Sequence, residues 1–308
     1  MSKRTVFLYC TQKDKEYLLQ YELVIRALLR KFRQSPLFSY LQIDTSLSCR
    51  DGMCDLLRTG TARRGAIFLE SSSQNISECM AMLDSVFMVR AASHHISGRT
   101  ICYAEQKKSL TSDDKAFHCT KSCEKESIRA ATEISIMAMK NQKHALSICL
   151  NPESKLDNLF LQEIEVLLGG KSHIQAECIP LDAMISKCLK TVPEIDVVLT
   201  TKDYASLIAM HLNAMPKIPS GYIVSYGESR NVYRRQIISG EDAGNLHHLS
   251  SLFAIAAIFE NEFEMKSAAD WLRRALSLAF LKEASSSCTD FISAVIKEIE
   301  TPIRKQRT

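Results

Sequence analysis

The chain has 308 residues, of which 46% are apolar and 24% are charged, so it can bury a sizeable core and does not have the composition of a disordered or fibrous protein. Its 39 Lys and Arg residues against 35 Asp and Glu residues leave a formal charge of only +4, spread along the chain, which does not favour a nucleic acid partner. No run approaches the roughly 18 apolar residues of a membrane span. We therefore expect a globular protein that binds neither nucleic acid nor membrane.

The predicted secondary structure alternates strands with helices. The chain opens with an apolar run at 6–10, and apolar residues at helical spacing follow from Tyr17 to Phe32. Further strands are predicted at 38–43, 65–69, 86–91, 100–103, 145–150, 174–179, 195–199 and 222–226. Further helices are predicted at 124–140, 155–168, 181–189, 204–212, 246–259, 265–282 and 289–299. This alternation is typical of an α/β protein whose parallel or mixed sheet is covered by helices on both faces.

The cysteine content indicates a reducing compartment. Eleven cysteines form an odd number without the regular spacing of a disulfide framework, and several lie in runs that read as buried strand. The first apolar run, at 6–10, is too short and too soon followed by charge to be a signal segment. We predict a cytoplasmic protein, with the mitochondrial matrix as the alternative.

The common nucleotide-binding and hydrolytic motifs do not occur in this sequence. Residues 11–16, which follow the first strand, contain no glycine, so the Gly-x-Gly-x-x-Gly turn of a dinucleotide fold is missing. There is also no P-loop and no Gly-x-Ser-x-Gly elbow. The doublets His94-His95 and His247-His248 are predicted in turns, where adjacent side chains diverge and do not easily chelate one ion. The polar stretch 105–125 is predicted to be a surface excursion.

Several short segments carry information through their shared order along the chain. They are Ser73-Gln74-Asn75, then Leu83-Asp84-Ser85-Val86-Phe87-Met88-Val89-Arg90, Glu126-Ser127-Ile128-Arg129, Ser147-Ile148-Cys149-Leu150-Asn151, Leu156-Asp157-Asn158-Leu159-Phe160-Leu161, Pro193-Glu194-Ile195-Asp196-Val197-Val198-Leu199-Thr200 and a final helix at 287–295. In order and spacing they resemble motifs of the isocitrate/isopropylmalate dehydrogenase family, the NAD(P)- and Mg-dependent β-decarboxylating dehydrogenases. The resemblance spans roughly residues 66–299.

This resemblance implies an α/β fold of the isopropylmalate-dehydrogenase-like, two-domain type, with a mixed, mostly parallel sheet flanked by helices. It implies a discontinuous large domain, 1–92 plus 239–308, and a small domain, 93–238, that carries the dimer interface. In the family, the active site lies in the cleft between the domains and is shared between two subunits. We therefore expect a homodimer, or a heteromer with a catalytic paralogue.

Most of the family's chemistry is missing from the matching positions. The catalytic lysine of the family's Lys-Ala-Asn strand falls on Cys149, which cannot relay a proton as an ammonium does. Of three metal-binding aspartates only one matches, at Asp182, while the other two positions fall on Ser206 and Met210. One carboxylate is too few for Mg²⁺. We expect no cofactor, and NAD(P) with Mg²⁺ only if the protein is active.

A small set of polar residues is retained at the family's substrate-binding positions. These candidates are Ser73, Asn75, Arg90, Asn151 and Asp182. Two interpretations remain open: the residues bind a small carboxylate, or they persist as hydrogen-bonded interior polar groups.

The broad loss of catalytic groups favours a non-catalytic homologue, a pseudoenzyme that pairs with itself or with an active relative in the manner of a regulatory subunit. One alternative is an active NAD(P)-dependent oxidoreductase that acts on a 2-hydroxy acid through a rearranged site. The other is a non-enzymatic scaffold or adaptor.

Overall fold

The structure is a computed structural model. It describes residues 5–11, 15–34, 41–46, 65–70, 89–96, 98–105, 114–139, 146–151, 153–169, 174–188, 195–213, 221–227, 230–236, 245–283 and 287–301. The chain forms two compact units. We call Met1–Val86 with Ser229–Thr308 the terminal unit, and Phe87–Glu228 the central unit. The dimer interface that the resemblance implies for the small domain stays a prediction.

The described elements alternate as the sequence predicts. The strands are β1 Thr5–Thr11, β2 Leu41–Ser46, β3 Gly65–Glu70, β4 Ala91–Ile96, β5 Arg99–Ala104, β6 Leu146–Cys149, β7 Ala176–Cys178, β8 Val197–Thr200, β9 Gly221–Tyr226 and β10 Asn231–Arg235. The helices are α1 Lys15–Lys31, α2 Asp114–Met139, α3 Lys155–Gly169, α4 Leu181–Cys188, α5 Lys202–Asn213, α6 Asn245–Asn261, α7 Lys266–Glu283 and α8 Cys288–Glu300. Among the described helices, none combines the length and apolarity needed to cross a bilayer.

In the terminal unit the strands lie in the order β2-β1-β3-β10, and each neighbouring pair is parallel. Helix α1 buries the apolar stripe that its sequence predicts, including Leu18 and Leu28. Helix α6 is apolar on nearly all sides, and it packs against β3, β10, α7 and α8. The helices predicted at 246–259, 265–282 and 289–299 are thus confirmed as α6, α7 and α8.

In the central unit the strands lie in the order β9-β4-β5-β8-β6-β7. Strand β4 is antiparallel to β9 and β5, whereas β5, β8, β6 and β7 are parallel to one another. Side chains alternate between the faces of the sheet, so Val198 packs with α4 and α5 while Leu199 packs with α2 and α3. The predicted α/β class, a mixed and mostly parallel sheet flanked by helices, is therefore confirmed.

Two predicted segments differ from the structure, and one strand was missed by the sequence analysis. The strand predicted at 86–91 begins only at Ala91 and runs to Ile96, while 86–88 lie outside the described residues. The predicted surface excursion at 105–125 is helical from Asp114 onward, because helix-forming Lys, Glu and Ala residues extend α2 without apolar periodicity. Strand β10 was not predicted, because its Arg234 and Arg235 interrupt the apolar pattern.

The histidine doublets lie in regular elements and not in turns. His94 and His95 lie on β4, where their rings lie next to tyrosines of the neighbouring strands. The His95 ring stacks on Tyr222 at 4.6 Å between centroids, and His94 lies 5.3 Å from Tyr103. His247 and His248 lie in the first turn of α6. Aromatic neighbours thus accommodate imidazoles that the sequence alone places in polar turns.

Candidate functional site

The candidate site lies at the carboxyl ends of parallel strands in the central unit. Strands β5, β8 and β6 are neighbours, and Tyr103, Thr200 and Cys149 are paired across them near their carboxyl ends. Residues that follow these strands therefore meet at one edge of the sheet, which is where α/β proteins commonly bind ligands. Glu105 follows β5 and Thr201 follows β8.

A pocket of about 410 Å³, counted with its open mouth, lies at this edge. Its polar lining is Glu105, Glu124, Ser127, Asp157 and Thr201. Its apolar lining is Ala104, Ile128, Leu159 and Phe160. Strand ends, helix α2 and the first turns of α3 thus bring carboxylates and hydroxyls next to an apolar wall.

Asp157 is held rigidly in this pocket. Its Oδ2 accepts a hydrogen bond of 2.7 Å from the backbone N–H of Asn151, and its own N–H donates to Ser154 Oγ at 3.3 Å. Ser154 thereby caps the start of α3. Asp157 is 9% exposed. The pKa of Tyr204 is raised, first by the burial of Tyr204 itself and second by the negative charge of Asp157. The carboxylate is therefore fixed at the rim of the sheet.

Glu105 has a different electrostatic environment. Its Oε2 lies 2.5 Å from Lys202 Nζ, at the start of α5. This ion pair neutralises Glu105, whereas no described cation pairs with Glu124 or Asp157. The nearby basic side chains of α2 are engaged elsewhere, because Lys125 and Arg129 both pair with Glu163, whose pKa is lowered mainly by its hydrogen bond to Lys125.

Two of the predicted substrate-binding residues flank the pocket. The Arg90 side chain pairs with Glu126 at 3.0 Å, and its carbonyl accepts a hydrogen bond of 2.9 Å from the Glu105 N–H. Asn151 supports Asp157, and its Oδ1 accepts from the Glu153 N–H at 3.0 Å.

The other predicted site residues lie elsewhere or outside the description. Asp182 is exposed in the first turn of α4. Ser73 and Asn75 lie outside the described residues, as does the glycine-containing loop 239–244. Substrate binding by the predicted set stays a prediction.

The positions that match the family's catalytic groups face the core or solvent. Cys149 is completely buried in the apolar cluster on the α4 and α5 face of the sheet, and its carbonyl accepts from Thr200 Oγ1 at 2.5 Å. Ser206 Oγ donates to the carbonyl of Lys202 in its own helix, and Met210 is 53% exposed. Asp182 is the one carboxylate at these matching positions, so the residues at them do not fit a Mg²⁺ ion.

A second cluster of polar groups, in the terminal unit, was missed by the sequence analysis. Glu70, at the end of β3, is completely buried, and its Oε1 lies 2.9 Å from His247 Nε2 and 3.3 Å from Arg235 Nε. Its Oε2 accepts from Ser251 Oγ at 2.5 Å. The only sequence signal was an acidic residue that ends an apolar run, together with a histidine doublet before an apolar helix.

The buried residues around Glu70 have perturbed pKa values. The Tyr21 hydroxyl lies 2.9 Å from His248 Nδ1. Burial is the main cause that lowers the pKa of His248 to about 4, while the charge of Glu70 opposes this shift. Burial also raises the pKa of Tyr21 well above its ordinary value. Arg235 balances the charge of Glu70 inside the fold, which is typical of a structural ion pair.

Comparison with solved structures defines the class of fold. Isocitrate dehydrogenase from Methylococcus capsulatus matches with a TM-score of 0.67 and 12% identity, over 97% of this chain and 100% of that one. The chain therefore shares the α/β fold of that structure.

Two further structures share this fold. The TT0538 protein from Thermus thermophilus matches with a TM-score of 0.72 and 11% identity, over 98% of this chain and 69% of that one. A chain from the peripheral stalk of the Euglena gracilis mitochondrial ATP synthase matches with a TM-score of 0.66 and 11% identity, over 96% of this chain and 99% of that one. No family model matches the sequence, and no curated protein does.

Proposed function

We propose that this chain is a non-catalytic homologue of the isocitrate/isopropylmalate dehydrogenases that serves as a subunit of a protein assembly. The observation that carries the proposal is the burial of Cys149, at the position of the family's catalytic lysine, in an apolar core. A group that is completely buried among aliphatic side chains cannot transfer a proton to a substrate in a cleft. The loss of the metal carboxylates at Ser206 and Met210 supports the same conclusion.

Exposed apolar side chains in the central unit support an assembly role. Met137 on α2 and Val166 on α3 are 64% and 72% exposed, and Met210 on α5 is 53% exposed. Large apolar side chains at the surface are common at protein interfaces. The terminal unit also exposes apolar side chains, so the choice of unit follows the resemblance, which implies a dimer interface in the small domain. We propose a homodimer, or a heteromer with a catalytic paralogue, that uses the central unit.

A structural role in a larger complex is the second candidate. Its support is the match to a chain of the Euglena gracilis ATP synthase peripheral stalk, which covers almost the full length of both chains. A stalk component needs a rigid fold and binding surfaces but no catalytic lysine. With this candidate we propose a location in the mitochondrial matrix, and with the first a cytoplasmic one; the free thiols of Cys102 and Cys149 suit either reducing compartment.

The enzymatic alternative is tested by direct assay. Purified protein is incubated with Mg²⁺, NAD or NADP, and isocitrate, isopropylmalate, tartrate or malate, and the formation of reduced cofactor is followed by absorbance. We expect no turnover above the background of a mock purification. Turnover that Asp182→Ala abolishes, while Asp203→Ala in the exposed first turn of α5 leaves it intact, would overturn the proposal.

The assembly role is tested by measuring the molar mass of the protein in solution. Light scattering after size exclusion should give a dimer for the chain alone, or affinity purification from its native cells should recover a dehydrogenase paralogue or ATP synthase stalk subunits in stoichiometric amounts. Val166→Asp should weaken this association, whereas Leu281→Asp, an exposed site on α7 of the terminal unit, should not. A monomer at all concentrations, without a stoichiometric partner, contradicts the proposal.

A further inference from the structure

We propose that the pocket of the central unit binds a small organic cation, a primary or methylated alkylammonium ion. Its charged group would lie between the carboxylates of Asp157 and Glu124, and its alkyl chain would lie against Leu159 and Phe160. This inference does not depend on the assembly role, because it rests only on the described pocket.

The charge of the pocket is the first argument. Lys202 neutralises Glu105, but Glu124 and Asp157 have no cationic partner among the residues whose side chains the structure describes. Both line the pocket. Two carboxylates that no described side chain compensates, in a partly enclosed site, favour a positive ligand over a dicarboxylate.

A buried hydroxyl is the second argument. Ser127 is only 7% exposed and lines the same pocket, and no described side chain or backbone group is its hydrogen-bond partner. The Ser127 hydroxyl is not one of the buried polar atoms that lack a partner, so solvent in the pocket can satisfy it, and a polar ligand that enters the pocket can take the place of that solvent. An ammonium N–H donates to hydroxyl and carboxylate oxygens alike.

The described acidic groups do not form a metal site with several protein ligands. No group of three or more His, Cys, Asp or Glu residues that could hold a metal ion is found in the described part of the chain. The carboxylates are instead spread around a cavity whose lining also includes the apolar side chains of Ile128, Leu159 and Phe160. An apolar wall suits the carbon atoms of an organic cation and offers nothing to a hydrated metal ion.

The test is a calorimetric titration of the full-length protein at pH 7.5 and constant ionic strength. The probes are methylammonium, n-butylammonium and tetramethylammonium chlorides, with sodium citrate and MgCl₂ as comparisons. We expect n-butylammonium to bind more tightly than methylammonium, by up to about fourfold for each buried methylene. Citrate and Mg²⁺ should not bind this pocket or displace the amine.

Matched variants locate the site. Glu124→Gln and Asp157→Asn should each weaken n-butylammonium binding at least tenfold, whereas Glu133→Gln, an exposed position on the same helix as Glu124, should leave it unchanged. Circular dichroism checks that Asp157→Asn stays folded, and Glu124→Gln gives an independent measure because it removes no described contact. The proposal is overturned if no amine binds up to 10 mM, on the order of the weakest site worth assigning. It is also overturned if both variants leave n-butylammonium binding intact, or if Mg²⁺ binds more tightly than the amines do.

Discussion

Mild acid should destabilise the terminal unit through the imidazole of His248. This side chain is 4% exposed, and its Nδ1 lies 2.9 Å from the Tyr21 hydroxyl. Burial, with help from the charges of His247 and Arg235, lowers its pKa from 6.5 to about 4, although Glu70 opposes the shift. The fold therefore keeps His248 neutral at pH values where the unfolded chain protonates it.

The size of the effect follows from these two pKa values. Because the folded pKa lies below the unfolded one, the stabilisation is fully present above pH 6.5 and is lost as the pH falls toward 4. Between pH 7.5 and pH 5.0, the expected loss from this one group is about 2 kcal/mol of unfolding free energy. Ending the series at pH 5 leaves most carboxylates ionised, so that their protonation contributes little.

The assay is urea unfolding followed by tryptophan fluorescence. Trp271 is the only tryptophan in the chain, and it lies on α7 in the same unit as His248. Its Nε1 donates to the carbonyl of Ile299 at 3.2 Å, so its emission reports the packing of α7 on α8. His248→Asn keeps a polar atom for Tyr21 but removes the titration, whereas His211→Asn, in the central unit, is the control.

Between pH 7.5 and pH 5.0, the unfolding free energy of the wild type and of His211→Asn should fall by about 2 kcal/mol more than that of His248→Asn. If His248→Asn loses as much stability over this range as the wild type, the buried imidazole is not the titrating group and the reasoning is refuted.

Three further substitutions test other features. In the same urea assay, Glu70→Gln should cost about 3 kcal/mol because Arg235 loses its counter-charge inside the protein, whereas Glu300→Gln at the surface should cost less than ~1 kcal/mol. Cys149→Lys restores the family's residue but buries an ammonium among apolar side chains, so thermal melting followed by circular dichroism should show a large loss of stability without any gain of dehydrogenase activity. Ser287→Ala removes the cap that accepts from the Asp290 N–H, and urea unfolding should show a loss of about 1 kcal/mol.

Elements with a clear apolar period could be predicted from the sequence. The stripe of α1 and the buried strand β8, for example, bury the residues that their patterns indicate. Strand β4 was not predicted at its observed position because Ser93, His94 and His95 lower the apolar content of that segment. The positions from Ala91 to Ile96 are nevertheless buried or nearly so. Polar side chains in that strand are satisfied by neighbours from distant sequence: Ser93 Oγ lies 3.1 Å from the Tyr226 hydroxyl. Such long-range partners have no local signal.

The candidate site was less predictable than the fold. The resemblance selected Arg90 and Asn151, but their described contacts are with Glu105 and Asp157, the residues that line the pocket. The lining of the pocket is brought together by the shared carboxyl edge of β5 and β8 and by the packing of α2 on α3. Strand order sets this proximity, and it cannot be read from spacing along the chain.

Glu70 and Asp157 show why burial alone does not mark a functional carboxylate. Both lie near the carboxyl end of a parallel sheet, and both are at least nine-tenths buried. Glu70 is surrounded by Arg235, His247 and Ser251, which compensate its charge from within the fold. Among the described residues, Asp157 receives a backbone N–H from Asn151 and no cation, and it lines an open pocket. Glu70 and Asp157 therefore differ in how far the described residues compensate their charge, and not in how deeply they are buried.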